Sequence, residues 1–518
     1  MTIRRQNIGQ FNRLGVQQAL DRLSTSVADN TEIIEYADEA ERNSAVLSPD
    51  MIGSLAHQLD NGTFWLLRNN SPVEWVPLGN NVFPVKGTGD DQMVYVRTTG
   101  DDTTGDGRTI ATAYRTVRRA LQDLPLLIWG VRYVIDCTDI GQELHADPTE
   151  LPMVISPDPQ FFDPSPAVPG FLIRAPVTLQ ATPTLVDTID VGELTGQTQE
   201  ALTGLRTLQT SKNYALDEQK GRIVRDANGV LGVIASNTAG PNSDIEVTQD
   251  GAFTAPVEIL APSAEIRNSD VGGSNAFELR NSVCRVQFNG IKFSTANPSS
   301  FRYGLLMDNP LYTVGCTMCQ LDGVSGFIGS SQPSFSTCQV TKRFGFTGLA
   351  GSLFNCLIND TTISLRNGGV STDVNFWFEN IIDGCSTVGG STGIEETNRV
   401  AISMDKIIVR NGTADGIFVG PLTSMRLRRT RCDNNAGDGV EVQGANRITL
   451  LNVSGTGNTG LGLRVTDAAQ ANLQGTVDIT GVGGDYKVGG NAIGTWGAFS
   501  GDENDLGAGT SQLCRMFV

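Results

Sequence analysis

The chain has 518 residues, with 38 Lys and Arg against 56 Asp and Glu, a formal net charge of −18, 59 glycines and an odd nine cysteines. So acidic a chain, lacking clustered Lys and Arg, is a poor partner for nucleic acid, and its longest apolar stretch, Leu124 to Val131, is too short and interrupted to span a membrane. Met1 to Gly15 holds no apolar leader segment, so the cysteines are read as buried free thiols of a protein made in a reducing cytoplasm.

Residues 1–45 read as a helical tether, with Leu14, Leu20, Leu23 and Val27, then Ile33, Ile34, Tyr36, Ala37 and Ala40, at mixed three and four spacing in a polar background. Residues 46–85 read as a small β module. Two strand-like runs, Gly53 to Leu59 and Thr63 to Leu67, flank Asp60-Asn61-Gly62, a hairpin signal, and Trp75 to Leu78 adds a third strand. Residues 92–183 begin with a strand (Val94 to Val96), an acidic loop (Asp101 to Asp106) and a short helix with Val117, Ala120 and Leu121 on one face. The loop lacks EF-hand spacing and is read as a solvated turn. Nine prolines between Pro148 and Pro183 predict an extended surface excursion. Residues 184–262 read as an inserted β domain with a hairpin around Asp226-Ala227-Asn228-Gly229.

From 263 to 490 the chain is periodic. Gly323, Gly345, Gly369, Gly393, Gly416, Gly439 and Gly462 each precede an apolar residue and stand 22 to 24 residues apart. Other columns keep the step: Val419, Val442 and Val465; Ile402, Met425, Ile448 and Ala471; Met404, Leu427, Leu450 and Leu473. Asn411, Asn434, Asn435 and Asn458 fall near corners, where left-handed backbone is tolerated. Short strands with tight corners at this period predict an all-β fold, a right-handed parallel β-helix, a single-stranded solenoid with like residues about 4.8 Å apart along its axis. Residues 491–518, with Trp496, Phe499 and Phe517, are expected to cap its far end.

Two segments carry a resemblance. Ala56 to Leu67, ending in Glu74-Trp75-Val76-Pro77-Leu78, looks like a small module of bacteriophage tail-fibre and spike proteins. Val94 to Asp102 with Gly105-Asp106-Gly107 and Ala113 to Leu121 is similar to the opening of tailspike and pectate-lyase-like β-helix proteins. The resemblance implies a homotrimeric virion structural protein, a tail spike or fibre that docks on other virion proteins through residues 1–85 and contacts the host surface. Two alternatives stay open: a depolymerase tailspike, a glycoside hydrolase acting on host surface polysaccharide, and a non-enzymatic head decoration or fibre protein. The reading leans away from catalysis.

Candidate site residues follow from the coil. Glu395, Phe418, Glu441 and Arg464 are read as one outward column. Glu395 and Glu441, two turns and about 9.6 Å apart, are the candidate catalytic carboxylates, in the range of inverting glycosidases. Phe418 between them, and Trp377 further up, are candidate glycan-binding aromatics. The basic run Arg426, Arg428, Arg429 and Arg431 reads as a solvated strand face alternating with Leu427. No metal or cofactor is expected: Cys316 and Cys319 have metal-like spacing, but no second pair follows and the only histidines are His57 and His145.

Overall fold

A computed structural model of the protein describes residues 34–45, 55–58, 63–70, 73–79, 91–124, 132–138, 153–155, 176–268, 275–280, 285–295, 303–308, 313–328, 333–348, 351–366, 374–385, 388–389, 400–420, 423–444, 447–466, 469–488 and 493–495. Strands dominate, and a large parallel sheet holds most of them. The chain divides into two compact units, Met1–Gly87 with Asp123–Trp129, and Thr88–Gln122 with Gly130–Val518.

In the first unit, Leu55–Gln58 and Thr63–Asn70 pair antiparallel across the predicted turn, and Val73–Gly79 adds the third strand. Ile34–Tyr36, expected to be helical, is instead a strand parallel to Ala56 through Gln58. The triplet Ile34-Glu35-Tyr36 alternates apolar and polar, and a partner edge outweighs local helix preference. A helix follows only at Glu39–Ser44, where the Asp38 carboxylate accepts the Glu41 N–H at 2.9 Å as an N-cap. Residues 1–33 of the expected tether, and the expected cap at Trp496, Phe499 and Phe517, lie outside the described residues.

In the second unit, Gln92–Tyr95, Tyr133–Asp136 and Val177–Gln180 stack in parallel. The acidic loop spends its carboxylates on itself: Asp101 accepts the Thr103 N–H, Asp106 the Arg108 N–H and Asp102 the N–H groups of Arg115 and Thr116. The helix Val117–Asp123 buries Val117, Ala120 and Leu121 as expected. The proline-rich stretch is not wholly an excursion. Met153–Ile155 pairs with Phe277 through Leu279, and Val177–Gln180 with Val286–Asn289. Pro176 stands one residue ahead of the second of these strands, where a missing N–H costs no ladder bond.

Residues 184–261 form an antiparallel sheet with its own core, including Ile189, Leu208, Val224, Ile234, Ile245 and Ile259. The predicted hairpin is present: Ile223 through Arg225 faces Leu231 through Val233, and Gly229 in the turn has φ +82°. This sheet lies on the parallel one. Leu205, Val233 and Ala235 pack on Leu357, Ile381 and Ile408, which form one register column of the stack. Around that apolar seam, Arg410 forks onto Glu246 at 2.9 and 2.6 Å, and Lys406 joins Asp250 to Glu379, the latter at 2.9 Å.

The parallel columns keep the register that the spacing predicts. Ile402, Met425, Ile448 and Ala471 are Cα partners in succession, as are Met404, Leu427, Leu450 and Leu473, and all are buried. The seven described cysteines are buried and unbridged. Corners turn in left-handed backbone, and most are not glycine: Met318, Thr337, Asn355, Glu379, Lys406, Arg429 and Asn452 form one such series, all at positive φ. Asn411 and Asn434 belong to a second. Just inside it, Asn435 and Asn458 stack as a buried amide ladder, with the Asn435 Nδ2 donating to Asn458 Oδ1 at 2.8 Å.

The glycine marks are not one structural position. Gly323 is a left-handed corner at φ +89°, and Gly345 lies within a strand. Gly416 and Gly439 are there for close approach. A Cβ on Gly439 would stand 2.7 Å from the Gly462 carbonyl oxygen, and one on Gly416 2.7 Å from that of Gly439.

Candidate functional site

The strands Ile417–Val419, Val440–Gln443, Leu461–Thr466 and Gly484–Val488 form a separate parallel sheet, preceded by Val388–Gly389. The first three alternate in, out, in. Ile417, Val419, Val440, Val442, Leu463 and Val465 are buried, while Phe418, Glu441 and Arg464 between them are half-buried and in register. Three of the four residues predicted to share an outward column therefore do so. The fourth does not: the partner of Phe418 in the preceding repeat is Gly389. That step is longer than the 23 residues assumed, which moves Glu395 out of the column. Glu395 itself lies outside the described residues.

Glu441 finds its carboxylate partners in the loops that lead into the strands. Asp415 and Asp438 occupy equivalent places, each directly before a close-approach glycine, and each accepts an N–H from the following repeat: Asp415 from Asp438 N and Asp438 from Leu461 N, both at 2.7 Å. Asp438 is buried and is held by Arg464, whose Nε donates to it at 2.5 Å. Carboxylate oxygens of Asp415, Asp438 and Glu441 all lie within 4.8 Å of one another.

Burial, then hydrogen bonding and charge from Asp415, push the Glu441 carboxyl up to about 7; Asp438 adds to the rise and Arg464 opposes it. Near neutral pH, Glu441 can therefore hold a proton and give it away. A carboxyl whose proton affinity is raised, set beside other carboxyl groups, is suited to the acid role. The oxygen separation is closer to the ~5–5.5 Å of retaining glycosidases than to the longer inverting distance. Asp415 and Asp438 were legible in sequence as Asp-Gly pairs one period apart.

Trp377 is not a surface aromatic. It is 1% exposed, in register between Leu353 and Met404, and its indole N–H donates to the Gly351 carbonyl at 3.3 Å. Its neighbour Phe376, 53% exposed, takes the outward place. The basic run also differs in part: Arg426 is solvated, but Arg429 pairs with Asp405 at 2.5 Å, and Arg431 pairs with Asp433 and approaches Glu200 of the antiparallel sheet at 3.8 Å.

No family model matches the chain, and no curated protein matches it. Among solved structures, it is similar to the Gp54 tailspike of Acinetobacter baumannii bacteriophage AP22, determined in complex with A. baumannii capsular saccharide. The identity is 9%, the match covers 72% of this chain and 70% of that one, and the TM-score is 0.16. At that score the likeness carries no argument about this chain.

Proposed function

We propose that the chain is the body of a bacteriophage-type tail spike or fibre: a right-handed parallel β-helix, trimeric on the virion, docked through residues 1–85 and presenting its flank to a host-surface glycan. The observation that carries this reading is the succession of parallel strands in fixed register from Val400 to Val488. A stack of that kind has a core that extends along one direction and suits a projecting appendage. The resemblance of residues 56–78 to a spike module supplies the docking role. Light scattering of the purified full chain is expected to give three times 55.3 kDa, with binding to spike-depleted particles. A monomer without affinity for particles contradicts the proposal.

A second reading, cleavage of the glycan, is favoured by the pairing of Glu441 with Asp415. In it, Glu441 protonates the leaving glycosidic oxygen, Asp415 attacks or stabilises the sugar cation, Asp438 and Arg464 position both, and Phe418 stacks on a neighbouring ring. Reducing-end release from host polysaccharide is expected to fall about 100-fold or more in Glu441→Gln and Asp415→Asn, and in the wild type to decline as pH rises past about 7, where Glu441 loses its proton. Release that survives both substitutions removes catalysis from this column.

A further inference from the structure

A cleft of about 350 Å³ opens where the antiparallel sheet meets the stack, with none of Asp415, Asp438 or Glu441 in its lining. That volume is in the lower part of the ~300–1,000 Å³ usual for small-ligand sites. Leu205 and Ile408, which belong to the seam between the two sheets, supply its apolar lining. The rest is polar. Thr198, Arg206 and Thr207 contribute from one side, Arg431 and Asn434 from the other.

The chain is strongly acidic, yet this lining is charge-balanced: Arg206, Arg410 and Arg431 stand against Glu200, Glu246 and Asp433. Arg410 is spent on Glu246. Arg206 uses its Nε on the Asp250 carbonyl at 2.9 Å, which leaves the outer N–H groups of its guanidinium without a protein acceptor among the described residues. The hydroxyls of Thr198 and Thr207 and the Asn434 amide are likewise uncommitted there. An anionic ligand would meet as much negative as positive charge. A ligand carrying many hydroxyls, each donor and acceptor at once, matches guanidinium, amide, hydroxyl and carboxylate edges together.

We infer that this cleft binds a neutral, polyhydroxylated ligand, an uncharged sugar unit of a surface glycan. The inference rests on the glycan-contact reading above and adds to it a second place on the molecule and a charge class for the ligand. Arg206 acts here as the hydrogen-bond donor to hydroxyl oxygens, while Arg431 is held by Asp433, and no covalent bond is made or broken.

The test uses the full chain on an array of neutral hexose oligosaccharides beside uronate-bearing and phosphorylated ones, with Thr198→Trp and Thr207→Trp as cleft-filling variants. Thr198 is exposed, so its replacement leaves the fold intact even if Thr207→Trp perturbs it. Binding to neutral oligosaccharides that weakens at least about tenfold in Thr198→Trp, at unchanged trimer mass and melting temperature, supports the inference. Neutral binding indifferent to both fillings overturns the cleft while leaving the spike reading in place. Preference for the charged oligosaccharides overturns the charge class. A trimer that binds no sugar overturns the inference alone; a monomer that binds none overturns the spike reading with it.

Discussion

Asn458→Leu is expected to destabilise the fold by about 3–5 kcal/mol, one of the largest single-residue losses in the stack. Asn458 is fully buried, and its Oδ1 accepts both the Asn435 N–H at 3.2 Å and the Asn435 Nδ2 at 2.8 Å. Its Nδ2 donates to the carbonyls of Cys432 at 3.0 Å and Thr480 at 3.1 Å. Leucine matches it in size but supplies none of these bonds, so two Asn435 donors and the Cys432 carbonyl lose a buried partner and the part-buried Thr480 carbonyl loses another. Each costs about 1–3 kcal/mol where water cannot reach it, less than additively in a shared network. The urea midpoint should fall at an unchanged slope. A loss below about 1 kcal/mol would mean that the ladder is reached by solvent, contrary to its burial.

Trp377→Ala is expected to cost about 3–5 kcal/mol, and Phe376→Ala next to it less than about 0.5. Trp377 is enclosed between the Leu353 and Met404 levels of the stack, with its ring edge-on to Phe344 at 5.7 Å and 87°. Truncation removes that contact, leaves the Gly351 carbonyl without its indole donor and opens a cavity that neighbouring strands in fixed register cannot close. Phe376 meets mostly solvent in the single chain. Thermal midpoints of the two variants decide which aromatic faces inward, and the reverse order of damage would restore Trp377 to the surface.

The columns through Ile402, Met404 and Phe418 are readable because each of their steps is 23 residues, so spacing and register coincide. The column place expected of Glu395 belongs to Gly389 for the converse reason: the preceding step is longer, and a period carried backward through it lands on a different residue. Trp377 sits in Phe376-Trp377-Phe378, where three aromatics in a row hide the alternation that elsewhere marks inside from outside. Leu357, Ile381 and Ile408 are apolar beside buried Ile358, Ile382 and Val409, so these strands look inward on both faces. The reason is the antiparallel sheet that covers them, a tertiary contact that local sequence does not announce. Corners occupied by Met318, Thr337 or Lys406 gave no signal either, since left-handed backbone is expected of glycine and asparagine. Glu441 was found by alternation alone. Its neighbour Asp415 stands not in the strand column but in the loop ahead of Ile417–Val419, where alternation carries no information.

The pairing of Val177–Gln180 with Val286–Asn289 joins neighbours in space that lie about a hundred residues apart in the chain. Between them is the antiparallel sheet, whose hairpin Ile223–Asp226 with Leu231–Asn237 closes locally. Loop closure over so long a stretch is costly while that stretch is unfolded, and cheap once it is a compact body whose first and last strands in the chain already pair. Thr184–Ile189 and Val257–Ala261, the first and last strands of the sheet, are such a pair. This connectivity makes one order of assembly the expected one: the antiparallel sheet forms early and delivers the two ends of the interrupted stack to each other, a clasp for folding as well as a surface.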